Sequence, residues 1–109
     1  MTRREFVEEA LKKVNAEVLE WVADAEAKVR IYEVTVYTGG WGSVVAKCYN
    51  KDAAQQIANV LKDNVIERFE KSFRIKIDED YIYFSTHTAM KVLGWSYKDY
   101  LREVEGKEV

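Results

Sequence analysis

Apolar residues in the first quarter of the chain recur at steps of three and four positions. Thr2 and Glu5 have the spacing of a capping box at the start of a helix. The apolar spacing after this capping box predicts an α-helix of about 26 residues with one apolar stripe along its length. The stripe contains Val7, Leu11, Val14, Val18, Trp21, Val22, Ala25 and Val29. Because such a helix would be about 40 Å long, we expect part of its stripe to meet a partner.

After this helix the apolar positions repeat with a period of two, which predicts β-strands. Residues 29–37 and 43–49 are rich in β-branched and aromatic side chains, and the glycine-rich residues 38–42 between them predict a hairpin. Residues 73–77 and 81–85 alternate in the same way around three acidic residues. The second pair therefore predicts a second hairpin.

Three further helices are predicted from start and stop signals. Asp52 with Gln55 marks the start of the second helix, which should run to about Lys71. Its buried face should contain Ile57, Leu61, Val65 and Phe69. The third helix covers residues 87–93 and stops at Gly94. Ser96 and Asp99 cap a last short helix that ends near Gly106.

The order of these elements predicts one domain of the α+β class over residues 1–109. The elements read αββαββα followed by a short helix, and we expect a four-stranded antiparallel sheet with helices packed on one face. The length of 109 residues fits a single compact domain.

Composition and charge narrow the classes of function. The 17 basic and 19 acidic side chains give a net charge of -2, so binding to nucleic acid would need a local basic patch. The single cysteine, Cys48, and the lack of metal-site spacing argue against a disulfide-stapled module or a zinc finger. We expect an intracellular, cytoplasmic protein with no signal peptide and no membrane partner.

The segment Leu19–Ala27, LEWVADAEA, resembles the nonapeptide of the LAGLIDADG homing endonucleases. The domain of that family has the order αββαββα, the order predicted above. Six residues take the family's positions, namely Leu19, Val22, Ala23, Asp24, Ala25 and Glu26. Trp21 and Ala27 depart from the two glycines, and Glu20 departs from the alanine.

This resemblance implies a homodimer that cleaves both strands of duplex DNA with Mg²⁺. Two copies of the first helix would pack through Val18, Trp21, Val22 and Ala25, and would bring the two Glu26 carboxylates together as metal ligands. Asn50 would hold the hydrolytic water, and Lys98 falls near the family's active-site lysine. The catalytic residues implied are therefore Glu26, Asn50 and Lys98.

The family reads DNA with the open face of its sheet, and the alternating strands predict which side chains lie there. Val44, Ala46 and Cys48 are expected to point inward on the second strand. The outward set is basic and aromatic, which suits contacts to phosphates and bases. It comprises Arg30, Trp41, Ser43, Lys47, Arg74, Lys76, Tyr81 and Tyr83.

Two other functions are compatible with the sequence. One is a nuclease-inactive relative of the family that acts as a DNA-binding or protein-binding module. The other is a small acidic inhibitor that occupies a protein partner with its sheet face.

Overall fold

The computed structural model describes residues 1–65 and 72–106 of the chain. Over these residues the protein is of the α+β class, with four helices and a four-stranded antiparallel sheet. The elements are α1 (Arg3–Lys13), β1 (Val18–Ala23), β2 (Glu26–Thr38), β3 (Trp41–Cys48), α2 (Lys51–Asp63), β4 (Phe73–Phe84), α3 (Thr86–Leu93) and α4 (Tyr97–Glu103). The predicted class and sheet are confirmed. The predicted order αββαββα is wrong, because the chain runs αβββαβαα.

The sheet is organised around β2, which pairs with β1, β3 and β4. By its internal contacts the chain divides into two compact units, Met1–Arg30 with Ile82–Val109 and Ile31–Tyr81. The first unit contains α1, β1, α3 and α4, and the second contains β3 and α2. The long strands β2 and β4 contribute residues to both units.

In the first unit, α1 is a short helix with the predicted capping box. The Thr2 hydroxyl accepts a hydrogen bond from the backbone N–H of Glu5 at 3.0 Å, and the Thr2 N–H donates to the Glu5 carboxylate at 3.1 Å. The backbone N–H of Thr2, and next its hydroxyl, stabilise the Glu5 carboxylate and hold the pKa of Glu5 below its usual range. The helix packs against α3, and its fully buried Phe6 lies edge-on to Trp95 and Tyr100, with ring centroids 4.8 and 5.4 Å away.

The predicted helix of about 26 residues is wrong beyond Lys13. Asn15 has a φ of 51°, in the left-handed region that ends a helix, and the chain then enters β1. Two β-bulges on β1 explain why its apolar residues have a helix-like spacing. Leu19 and Val22 have no partner on β2 and are extra residues on β1. The paired residues are Val18 with Val29, Glu20 with Lys28, Trp21 with Ala27 and Ala23 with Glu26. Each bulge lengthens the step between residues on one face of β1 from two to three, and the bulge at Leu19 does so for the half-buried pair Val18 and Trp21.

The two predicted helices at the end of the chain are present, although α4 ends at Glu103 and not near Gly106. Helix α3 ends at Gly94, whose φ of 71° suits glycine. Ser96 and Asp99 form the capping box of α4, with the Asp99 N–H donating to the Ser96 hydroxyl at 3.1 Å. Bonds from Ser96 to the Asp99 carboxylate lower the pKa of that group.

In the second unit, β2 and β3 form the predicted hairpin. Gly39 and Gly40 have φ values of 75° and 101° in its turn, so the glycines supply a conformation that other residues avoid. The core of the unit is Val34, Cys48 and Ala54, packed against Tyr32, Ala46, Ala53, Ile57, Leu61, Ile75 and Ile77. Helix α2 ends at Asp63; Phe69 and the predicted end at Lys71 lie outside the described residues.

The predicted second hairpin is wrong, because Phe73–Phe84 is one continuous strand, β4. The three acidic residues 78–80 lie inside this strand. None of the three is a glycine or an asparagine that would favour a positive φ, and β2, at 13 residues, is long enough to pair with β4. Sheet pairing therefore outweighs the weak turn preference of the acidic residues.

Candidate functional site

Strand β3 contains a bulge that changes which side chains share a face. Val34 lies opposite Ala46 and Thr35 opposite Val44, so Val45 is an extra residue on β3. Paired residues point to the same side of a sheet. The alternation of side chains between the two faces therefore shifts by one residue at Val45. The prediction that Val44 points inward with Ala46 and Cys48 is therefore wrong.

The same bulge divides the predicted DNA-binding set on this strand. Ser43 lies opposite Val36, on the face of the sheet that α2 covers further along. Lys47 lies opposite Glu33, on the other face. The expectation that Trp41, Ser43 and Lys47 form one outward row is wrong for that reason.

The first five residues of β3 are exposed on both faces. Trp41, at the start of the strand, is 85% exposed, and Val44 and Val45 are 50% and 49% exposed. Gly42 and Ser43 between them are also exposed. A strand with one covered face would show alternate burial, so this half of β3 extends past the apolar core of its unit.

Strand β3 also has an open edge. Within residues 1–65 and 72–106, β2 is its one neighbour in the sheet. The backbone N–H and C=O groups along the outer edge of such a strand are available for pairing with another strand. We call this edge, from Trp41 to Cys48, the β3 edge.

The predicted metal ligand Glu26 is not on a helix. It is the first residue of β2, paired with Ala23 across a turn made by Asp24 and Ala25. Asp24 and Glu26 line a pocket of about 300 Å³, together with Arg3, Ala23, Ala25, Ser85 and Thr86. Arg3 binds Glu105 through two hydrogen bonds of 2.7 and 3.0 Å.

The donor set of this pocket fits a resident Mg²⁺ poorly. Mg²⁺ prefers octahedral coordination by oxygen atoms, commonly with one or two carboxylates. Asp24 and Glu26 supply two carboxylates, but the guanidinium of Arg3 lines the same pocket. In the part of the chain that the structure describes, no group of three or more His, Cys, Asp or Glu side chains could hold a metal ion.

The other two predicted catalytic residues lie at the N-terminal ends of helices. Asn50 is the N-cap of α2, and its side-chain oxygen accepts a hydrogen bond from the Ala53 N–H at 2.9 Å. Its oxygen therefore has a structural use that the sequence analysis did not assign. Lys98 is an exposed residue in the first turn of α4.

The predicted dimer interface does not exist as a helix face. Val18, Trp21 and Val22 lie on β1, and Ala25 lies in the turn that follows it. The Trp21 ring is covered by the guanidinium of Arg4, 3.7 Å from the ring centroid. These four residues therefore present no continuous apolar stripe.

Most of the predicted phosphate-binding cations have acidic neighbours. Arg30 lies 3.0 Å from Glu17, and it has further interactions of its own. In the second unit, Lys47 lies 3.8 Å from Glu33, and Lys76 lies 3.4 Å from Asp78. Such pairs on a surface are weak, but they reduce the positive potential that attracts DNA.

The remaining members of the predicted DNA-binding set are exposed. Arg74 has no acidic partner among the described residues, and it lines a cavity of about 530 Å³ with Tyr37, Gly39, Gly40 and Ser72. Tyr81 and Tyr83 are 45% and 54% exposed. These side chains are accessible, and their role in DNA binding stays a prediction.

Comparisons of the chain with known protein families, curated proteins and solved structures find no match. The resemblance to the LAGLIDADG family therefore remains a prediction that depends on nine residues and Asn50. No helix in the described ranges is long and apolar enough to cross a membrane.

Sequence reasoning missed the β3 edge, although one signal for it was present. Residues 41–45 contain Trp41, Val44 and Val45, which regular alternation cannot bury on one face. Two adjacent valines in a predicted strand are consistent with a bulge, and a bulge is common at sheet edges.

Proposed function

We propose that this chain is a protein-binding module that recognises an extended segment of its partner by adding it to the sheet at the β3 edge. The observation that carries the proposal is the exposed half of β3, where Trp41, Val44 and Val45 are large, apolar and at least 49% exposed. Protein binding was part of both non-catalytic alternatives predicted from the sequence, but those alternatives named a family relative or the sheet face, and this proposal uses the sheet edge.

The chemistry of the β3 edge suits an extended peptide. Main-chain hydrogen bonds to an open strand supply affinity, and side chains on both faces supply specificity. Val44 and Val45 provide β-branched surface on which an apolar side chain can pack. Trp41 provides an aromatic ring that is suited to be an anchor once a partner covers it.

Charge favours a protein partner over DNA. The net charge is -2, and Lys47 and Lys76 have acidic neighbours within 4 Å. Only one of the eight residues of β3 is charged. A phosphate backbone is attracted by several uncompensated cations, whereas an apolar strand gains from burying apolar surface.

Selection from a phage-displayed library of random peptides tests this proposal. We expect the wild type to select peptides with alternating β-branched residues. A Val45→Lys variant should bind them at least about tenfold more weakly, because a lysine at the edge opposes strand addition. The matched control is Val60→Lys, which makes the same change at a 60% exposed valine on α2 and should bind like the wild type.

Two results would overturn the proposal. One is that no peptide is selected. The other is that the selected peptides bind Val45→Lys as well as they bind Val60→Lys. If a short random-sequence duplex binds instead, with affinity that falls steeply with salt, the DNA-binding alternative takes its place.

A Mg²⁺-dependent endonuclease is the second candidate function. The observation in its favour is that Asp24 and Glu26, the two acidic positions of the motif, line one pocket. The observation against its expected mechanism is that residues 19–27 form parts of β1, a turn and β2, so the helix pair that would bring two Glu26 residues together is missing. DNA cleavage and homodimerisation through the motif remain predictions.

A further inference from the structure

We infer that the occupant of the β3 edge is a second copy of this chain, paired antiparallel about a two-fold axis that passes between Val44 and Val45. This inference deepens the proposed function and rests on it, because both use the same edge. Three features of β3 carry the inference: the position of the bulge, the distribution of charge and the valines at the centre.

The bulge makes β3 compatible with its own copy in this register. In an antiparallel pair, residues opposite each other must point to the same face of the sheet. In a regular strand, a two-fold axis that passes between two consecutive residues would place side chains of one face opposite side chains of the other face. In β3 the change of phase at Val45 corrects this mismatch, so that Ser43 lies opposite Ala46 of the partner subunit on one face.

The other pairs in this register are also compatible. Gly42 lies opposite Lys47 of the partner subunit, and both belong to the face that carries Glu33 and Thr35. Trp41 lies opposite Cys48 of the partner subunit, on the face that α2 covers. At the centre each Val44 meets Val45 of the partner subunit, which brings together four valines that are about half exposed in one copy.

Charge favours the antiparallel pair over a parallel one. Lys47 is the single charged residue of β3. Gly42 and Lys47 lie opposite Tyr37 and Glu33, four residues apart on β2, so in this register the two Lys47 residues are separated by about four strand steps, or about 14 Å. This distance is beyond the Debye length of about 8 Å at physiological salt. A parallel pair in register would place them side by side and would repel.

The interface that results is small, because each copy contributes one strand of eight residues. Small interfaces form transient complexes. We therefore expect a dimer that forms and dissociates rapidly and whose population rises with protein concentration.

Sedimentation velocity from micromolar to millimolar protein tests this inference. The wild type and Val60→Lys should show the same monomer–dimer equilibrium. Val45→Lys should raise the dimer dissociation constant by at least about tenfold, because it buries charge at the two-fold axis. Ser43→Lys, at an exposed position, is a second edge variant with the same expected effect, and circular dichroism verifies that each variant is folded.

The outcomes separate this inference from the proposed function. A dimer that survives both Val45→Lys and Ser43→Lys would overturn self-pairing at β3. A monomeric wild type that still binds selected peptides through Val45 would overturn the second copy as occupant and leave the binding function standing. A monomeric wild type that selects no peptide would overturn both.

Discussion

Replacing Trp41 with alanine should leave the stability of the folded chain almost unchanged. A fully buried tryptophan removes about 150–250 Å² from water, worth about 4–6 kcal/mol at about 25 cal/mol per Å². Trp41 is 85% exposed, so folding covers roughly a seventh of this surface. We therefore expect Trp41→Ala to lower the free energy of unfolding by less than about 1 kcal/mol.

Phe6→Ala provides the contrast, because Phe6 is fully buried and contacts Trp95 and Tyr100. We expect it to cost about 3–5 kcal/mol, from lost burial and the cavity that remains. Urea unfolding followed by far-ultraviolet circular dichroism measures both variants, at a protein concentration low enough to keep the chain monomeric. A loss of more than about 2 kcal/mol for Trp41→Ala would mean that the ring is packed in solution, and would refute the argument that β3 is uncovered.

Three further predictions concern the turn, a helix cap and the motif. Asp24→Pro should change the free energy of unfolding by less than about 1 kcal/mol, because Asp24 is the first residue of a two-residue turn without positive φ. If residues 19–27 formed a helix, the same substitution would lower this free energy by about 3 kcal/mol or more. Thermal unfolding of the variant and the wild type measures the difference. Ser96 lowers the pKa of Asp99 from its usual 3.8. The ionised Asp99 carboxylate therefore stabilises the fold above that pH, and this stabilisation is lost as the pH falls through the folded-state pKa. The fall in melting temperature between about pH 6 and pH 3 should be smaller in Asp99→Asn than in the wild type. Glu26→Gln should leave every DNA assay with Mg²⁺ unchanged if the chain is a protein-binding module; a wild type that cuts duplex DNA beside an inactive Glu26→Gln would restore the endonuclease prediction.

Local sequence signals determined the start of α1, the end of α3, the start of α4 and one hairpin. The capping boxes of α1 and α4 were predictable because a Ser or Thr hydroxyl and an acidic side chain three residues later bond to each other's backbone. Gly94 was predictable as a helix end, and the glycines of the β2–β3 turn as a hairpin, because positive φ costs glycine little. These signals depend on a few neighbouring residues, so the rest of the fold cannot change them.

Tertiary structure decided what residues 14–29 became. Val18 and Trp21 are three positions apart, as on a helix, but in β1 that step arises from the bulge at Leu19. A bulge exists only in relation to the strand opposite it, so the single-residue pattern could not reveal it. The resemblance to the endonuclease motif depended on the same misread helix.

The candidate site was likewise decided by pairing between distant residues. The adjacent valines are consistent with a bulge, but the pairing with β2 is what makes Val45 the residue without a partner, and that position determines which side chains of β3 share a face. Exposure of Trp41 depends on where the core of the second unit ends. Local propensity specified that β3 is a strand, and the contacts of β2 and α2 specified which part of it remains open to a partner.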